Sequence, residues 1–434
     1  MKKKIATILC MAMATTLFAG CANSDTEDKT QAASMAESGE TTAKEANENA
    51  EKVGMEVAGG EVSIWHDGDE AIMEVIAGEV NEKLSQDGIT VKFEKKTGLT
   101  DQIKLYGNDE QNGPDMYLYA HDSLGTFVEM DVLAPITDVV GEEVYTDMLP
   151  MTLEAGTYKG EQYLLPMYFE TLLFMYNKSL WEVEVPDTTD ALYEYMVSHT
   201  DAAAGTYAVV NQHSTAYNVA PFINGFGGFI INEEAKPGLN DINTMEAVEY
   251  NKKFAALQAD GDYNTVTTLF NEGKAAAIIG GPWLVSGIKE AGIDLGIKSL
   301  SDFTLPNGNA LAPYSGVQGI GVMKYAAENN KDVVAKVLTA LADAQVGVAL
   351  AEKSNCAPAN QKSYADAKVS GNEMIAAMQR TAETAQPMPN IPEMSVMWGP
   401  AESLLAAVNK SGEDVSKVAD KYQQDAETAI ADMQ

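Results

Sequence analysis

The residues best suited to chemistry are flat rings and carboxylates at breaks in the chain. Trp398 lies in "PNIPEMSVMWGP", residues 389–400, after a proline-interrupted run and directly before Gly399 and Pro400. Trp283 follows Gly280, Gly281 and Pro282, and proline suits a first helical position, so this indole falls in an opening helical turn. A ring at such a break can offer an apolar face to a ligand, and taking that face out of water contributes about 1–3 kcal/mol. The carboxylates are Asp67 and Asp69 in "HDGD", Asp122 next to Tyr119 in "YAHD", and Glu170 in "PMYFETLLFMYN". Ionised carboxylates accept hydrogen bonds, each contributing roughly 1.5–3 kcal/mol when the donors are well placed. An unpaired carboxylate in an apolar run is costly, so Glu170 is expected to be functional or hydrogen-bonded. Plainer roles compete: Trp65 reads as a core residue at a strand end, Asp69 as the cap of a helix beginning near Ala71, and tryptophans are often largely buried. A carboxylate pair could also serve a secreted glycoside hydrolase, but nothing in the sequence predicts a raised pKa for any of these groups.

The elements that must position them alternate. Val62 and Ile64 alternate as in a strand, "HDGD" is turn chemistry, and Ile72, Val75, Ile76, Val80 and Leu84 recur at helical spacing. "ITVKFE" is a second strand, and "GPDMYLYAHDSLGTFVEM" a third running into a helix. Alternating strands and helices imply an α/β chain with a mostly parallel sheet, whose ligands bind beyond the carboxyl ends of the strands. Asp67, Asp69, Tyr119 and Asp122 follow such ends. "AAAIIGGPWLVSGI" repeats the layout around Trp283, "GIGVMK" reads as a strand, "KDVVAKVLTALADAQVGVALAEK" as one amphipathic helix, and the chain from Asn372 as helical apart from "QPMPNIPE".

Composition narrows the classes of function. The chain has 434 residues, 45% of them hydrophobic, which suits two domains with ample cores. Its opening, "MKKKIATILCMAMATTLFAGC", reads as a secretory signal over residues 1–20 ending at Cys21. Residues 21–57 lack aromatics and hydrophobic periodicity and read as a disordered acidic tether. The net charge of −35, or −38 without Lys2, Lys3 and Lys4 (−35 − 3), disfavours nucleic acid and anionic lipid as partners. Arg380 is the one arginine, and planar anions are commonly held by arginine, which favours a neutral ligand. With Cys10 in the signal and Cys21 at its end, Cys356 is left alone and no disulfide is expected in the mature chain. His66, His121, His199 and His213 lack partners at metal-ligand spacing and read as structural; no cofactor motif, phosphate loop or nucleophile elbow is present.

Four blocks in order, "NGPDMYLYAHDSLGTFVEMDVLAPIT", "YKGEQYLLPMYFETLLFMYNKSL", "FNEGKAAAIIGGPWL" and "PMPNIPEMSVMW", make the chain from about Gly60 resemble the solute-binding proteins of ATP-driven (ABC) importers, in their maltose/maltodextrin branch. The resemblance implies a two-lobe periplasmic-binding-protein fold with a hinge and an interlobe ligand cleft. The N-terminal lobe would take 58–168 with 320–366, and the C-terminal lobe 173–314 with 372–434. It implies Trp398, Trp283 and Tyr217 as sugar-stacking rings, Tyr263 as another contact, Asp69, Asp122 and Glu170 as hydroxyl acceptors, and more loosely Asp101 and Gln102. It also implies lipidation of Cys21, a monomer, membrane attachment by the lipid alone, and delivery of an α-gluco-oligosaccharide to permease subunits; another neutral oligosaccharide is the alternative. Departures from the pattern are Glu70 and Ser123, where the family has cations, Gly399, where it has a tyrosine, and Thr215, where it has a glutamate.

Overall fold

The computed structural model describes residues 59–433. The expected signal, Cys21 and the tether lie outside the described residues.

In chain order the principal elements are β1 (Glu61–His66), α1 (Glu70–Leu84), β2 (Thr90–Lys95), α2 (Leu99–Tyr106), β3 (Met116–Ala120), β4 (Leu164–Thr171), β5 (Leu173–Asn177), β6 (Tyr207–Val210), α3 (Ala216–Phe226), α4 (Ile242–Phe254), α5 (Tyr263–Asn271), β7 (Ala275–Gly280), β8 (Leu295–Ser299), β9 (Tyr314–Met323), α6 (Lys331–Leu341), α7 (Ala344–Ser354), α8 (Glu373–Thr381), α9 (Trp398–Asn409) and α10 (Val415–Ala431).

Two sheets organise two lobes. The larger runs Ala357–Pro358, β4, β9, β3, β1, β2, and the smaller β8, β5, β7, β6. Strand β1 is parallel to β2 and β3, with Ile64 opposite Phe93 and Met116. The expectation of a mostly parallel sheet fails beyond β3, because β9 returns from the smaller lobe through the middle of the larger sheet. It is antiparallel to both β3 and β4, with Ile320 opposite Leu118 and Leu165. That register needs a glycine at 321, where a Cβ would come within 2.3 Å of the Tyr117 ring. The smaller sheet is mixed as well, β7 pairing in parallel with β6 and antiparallel with β5. The chain leaves the larger sheet between β4 and β5 and re-enters it at β9.

Helices cover the sheets by burying one stripe each. On α1 that stripe is Met73, Ile76, Val80 and Leu84, while the expected Ile72 and Val75 are only partly buried. Met73, long and adaptable, takes an inward position in their place. The single helix expected over residues 331–353 is two, α6 and α7, bent by 53°. Asp343 causes the break: its backbone is extended, and its carboxylate caps α7 at the Gln345 amide, 2.8 Å away, and pairs with Lys83 on α1 at 2.7 Å. Trp65 is a core residue, buried with Tyr106 edge-on against it. Phe222, Ile223 and Phe226 on α3 are buried in the smaller lobe. Cys356 is buried, and burial pushes its thiol far above the ordinary value, so the thiolate is suppressed.

Candidate functional site at the lobe crossing

The larger lobe contributes the turns after β1 and β3. Asp67, Tyr119 and Thr100, the last at the start of α2, lie as neighbours at the strand ends. Burial raises the Asp67 carboxyl, partly offset by the neighbouring Tyr119 phenol. Burial likewise raises the Tyr119 phenol, with the charges of Asp67 and Asp122 adding to it. Asp69 caps α1, its Oδ1 accepting from the Ala71 amide at 2.9 Å. Asp122 lies in the 3-10 turn His121–Ser123, and His121 pins that turn. Its buried Nδ1 accepts from the Val317 amide on β9 at 3.0 Å and its Nε2 donates to the Met388 carbonyl at 2.9 Å. Burial lowers its pKa, so a neutral imidazole holds Asp122 against two distant segments. His66 is also buried, but its Nδ1 has no partner among the described residues.

Glu170 stands near the end of β4, opposite Gly316 of β9 and just before the crossing into the smaller lobe. Burial raises its pKa, contrary to the expectation that none of the carboxylates would be shifted; shielding at the crossing is visible only in three dimensions. Its charge bears on Tyr168, on Cys356 and on Tyr217 of the smaller lobe.

The smaller lobe contributes rings. Tyr217 is the second residue of α3, and Trp283 sits in the 3-10 turn Pro282–Leu284 directly after β7. Their ring centroids are 6.4 Å apart at an interplanar angle of 54°. Trp283 is 43% exposed, and its indole lies against Gly281, where an added Cβ would fall 2.2 Å from a ring carbon. The Tyr217 phenol is raised by burial, then by Glu170 and Asp122, which ties this ring to carboxylates of the larger lobe. Trp398 is not a break in the chain: it is the first residue of α9, partly buried, with Gly399 and Pro400 inside the first turn, where a missing proline N–H costs nothing.

Two groups are therefore assembled: Asp67, Tyr119 and Asp122 on one side, and Glu170, Tyr217 and Trp283 on the other, with Asp122 also acting on Tyr217. Asp101 and Gln102 adjoin the first group through their neighbour Thr100. Tyr263, the first residue of α5 and 47% exposed, and Trp398 stand outside the ring pair among the described residues. Thr100 was missed from sequence, since no motif marks a hydroxyl that adjoins a distant side chain. Among the described residues, no group of histidine, cysteine, aspartate and glutamate is arranged to hold a metal. Open grooves of about 490 and 520 Å³ flank Arg380 on α8, but none of the residues above lines them.

Two sheet-centred lobes linked by strand crossings form the two-lobe fold of periplasmic binding proteins. The chain belongs to the family of bacterial extracellular solute-binding proteins, whose model matches residues 79–377, and it is a binding protein and not an enzyme. It is 28% identical over 379 residues to the maltotriose-binding protein of Pyrococcus abyssi, covering 85% of this chain and 82% of that protein. It is 30% identical over 352 residues to the maltodextrin-binding protein MdxE of Bacillus subtilis, covering 74% of this chain and 81% of that one. The crystal structure of maltose-binding periplasmic protein MalE from Listeria monocytogenes in complex with maltose superposes with a TM-score of 0.73 at 27% identity, covering 86% of this chain and 97% of that chain.

Proposed function

We propose that this protein captures maltodextrin-type α-gluco-oligosaccharides between its lobes and delivers them to an ABC permease, held at the outer face of the cell membrane by a lipid on Cys21. The lobes on this reading comprise 58–168 with 320–366 and 173–314 with 372–434. The observation that carries it is the tilted Tyr217–Trp283 pair beside Glu170 and Asp122. A pyranose has an apolar face of C–H groups and a rim of hydroxyls, so its ligand site needs rings for the face and acceptors for the rim. Trp283, backed by Gly281, supplies a platform already set before ligand arrives. Asp67, beside Tyr119, and Glu170 supply acceptors, and the energy each returns depends on hydroxyl direction, which gives selectivity. Glu70, Ser123, Thr215 and Gly399 remove two cations, a carboxylate and a ring from the family's pattern, so preferred chain length and linkage follow this chain's own subsites. The names of the P. abyssi and B. subtilis relatives support the ligand class.

Titration calorimetry against maltose, maltotriose, maltoheptaose, a cyclodextrin, a β-linked glucan oligomer and a galacto-oligosaccharide tests the reading. Binding of the α-linked series with no heat from the β-linked control is expected; tighter binding of a galacto-oligosaccharide than of any maltodextrin would overturn it.

A further inference from the structure

Helix α3, which carries Tyr217, starts without the anchors a helix start commonly has. Thr215 occupies the N-cap position, but its hydroxyl makes no capping bond, and no acidic residue lies in the first turn. Pro221 lies inside the helix and has no N–H, so the Tyr217 carbonyl is deprived of the bond it would receive from four residues on. The turn bearing the ring is thus weakly held by its own helix. What stands at its start comes from α9: Glu402 Oε1 accepts from the Ala216 amide at 3.4 Å. Glu402 lies four residues after Trp398, on the same face of α9.

We propose that Glu402 is a positioning residue that caps α3 from a second helix and so fixes the Tyr217 ring relative to Trp398. The carboxylate places negative charge at the positive end of α3 and ties that end to the helix that begins with the other ring. Its consequence for affinity rests on the sugar-binding reading; the cap itself does not.

The test uses the full chain with Glu402→Ala and Glu402→Gln. Hydrogen exchange without sugar, followed on the peptide spanning residues 216–219, is expected to speed up in the alanine variant. Maltotriose affinity is expected to fall about fivefold, the equivalent of one lost cap. The glutamine variant, whose amide oxygen still accepts, is expected to restore both. Unchanged exchange in Glu402→Ala would overturn the cap. Equal affinity loss in both variants would overturn the positioning role, because the charge would then act on the sugar directly. If the wild-type chain bound no maltodextrin, the proposed function would fail while the exchange experiment still decided the role of Glu402.

Discussion

At the scale of single residues, the site separates into groups whose position is set by packing and groups whose ionisation is set by it. Trp283 belongs to the first kind. Replacing Trp283 or Trp398 by alanine is expected to weaken maltotriose binding at least tenfold, about 1.4 kcal/mol each, with circular dichroism unchanged. Gly281→Ala removes no ligand-facing side chain, yet its new methyl would occupy the space of the indole and displace it. It should lower affinity nearly as far as Trp283→Ala, measurable by the same titration. Glu170 belongs to the second kind. Burial raises its pKa above the ordinary 4.5, so the stability associated with its neutral form is full below that value and is lost as pH rises through the raised one. Sugar hydroxyls donate to the ionised form, so binding drives the proton off. Affinity should fall as pH drops through the raised pKa, with proton release detectable as a buffer-dependent heat, and Glu170→Gln should flatten the profile.

At the scale of elements, the breaks matter more than the runs. The kink between α6 and α7 lets both helices follow the surface of the larger lobe, and Asp343 holds it with a cap and an ion pair. Both partners of that pair are about one-third exposed, so the cap is the larger contribution. Asp343→Ala should cost about 1 kcal/mol in urea unfolding while leaving sugar affinity unchanged. Strand β9 shows the converse case. Its apolar run reads as a strand from sequence, but its direction depends on where the chain re-enters the larger lobe, and no local pattern encodes that.

At the scale of the whole molecule, the proposed export and anchoring bear on the charge. A net charge of −35 suits a ligand without negative charge, and on the proposed reading a membrane attachment that does not depend on lipid headgroups. Cys21→Ala should move the protein from the membrane fraction into the culture medium without altering its affinity for maltodextrins, read by fractionation and calorimetry. Retention of that variant at the membrane would remove the lipid anchor from the model of delivery.

The sequence alone determined the strand-turn-helix units and the core positions of β1, together with the cap at Asp69, because periodicity and turn chemistry are local. It also marked Trp283 and Glu170 as unusual, since a ring after Gly-Gly-Pro and a carboxylate in an apolar run both strain simple burial. It misjudged the inward stripe of α1, the continuity of the helix over residues 331–353 and the opening of α9 at Trp398, each decided by what packs against the element. Only the tertiary structure decided that Asp122 and Glu170 act on Tyr217, that Tyr119 adjoins Asp67, and that Glu402 closes α3. Those pairs are 47 or more residues apart in the chain, and a field or hydrogen bond depends on distance in space, which the order of residues does not carry.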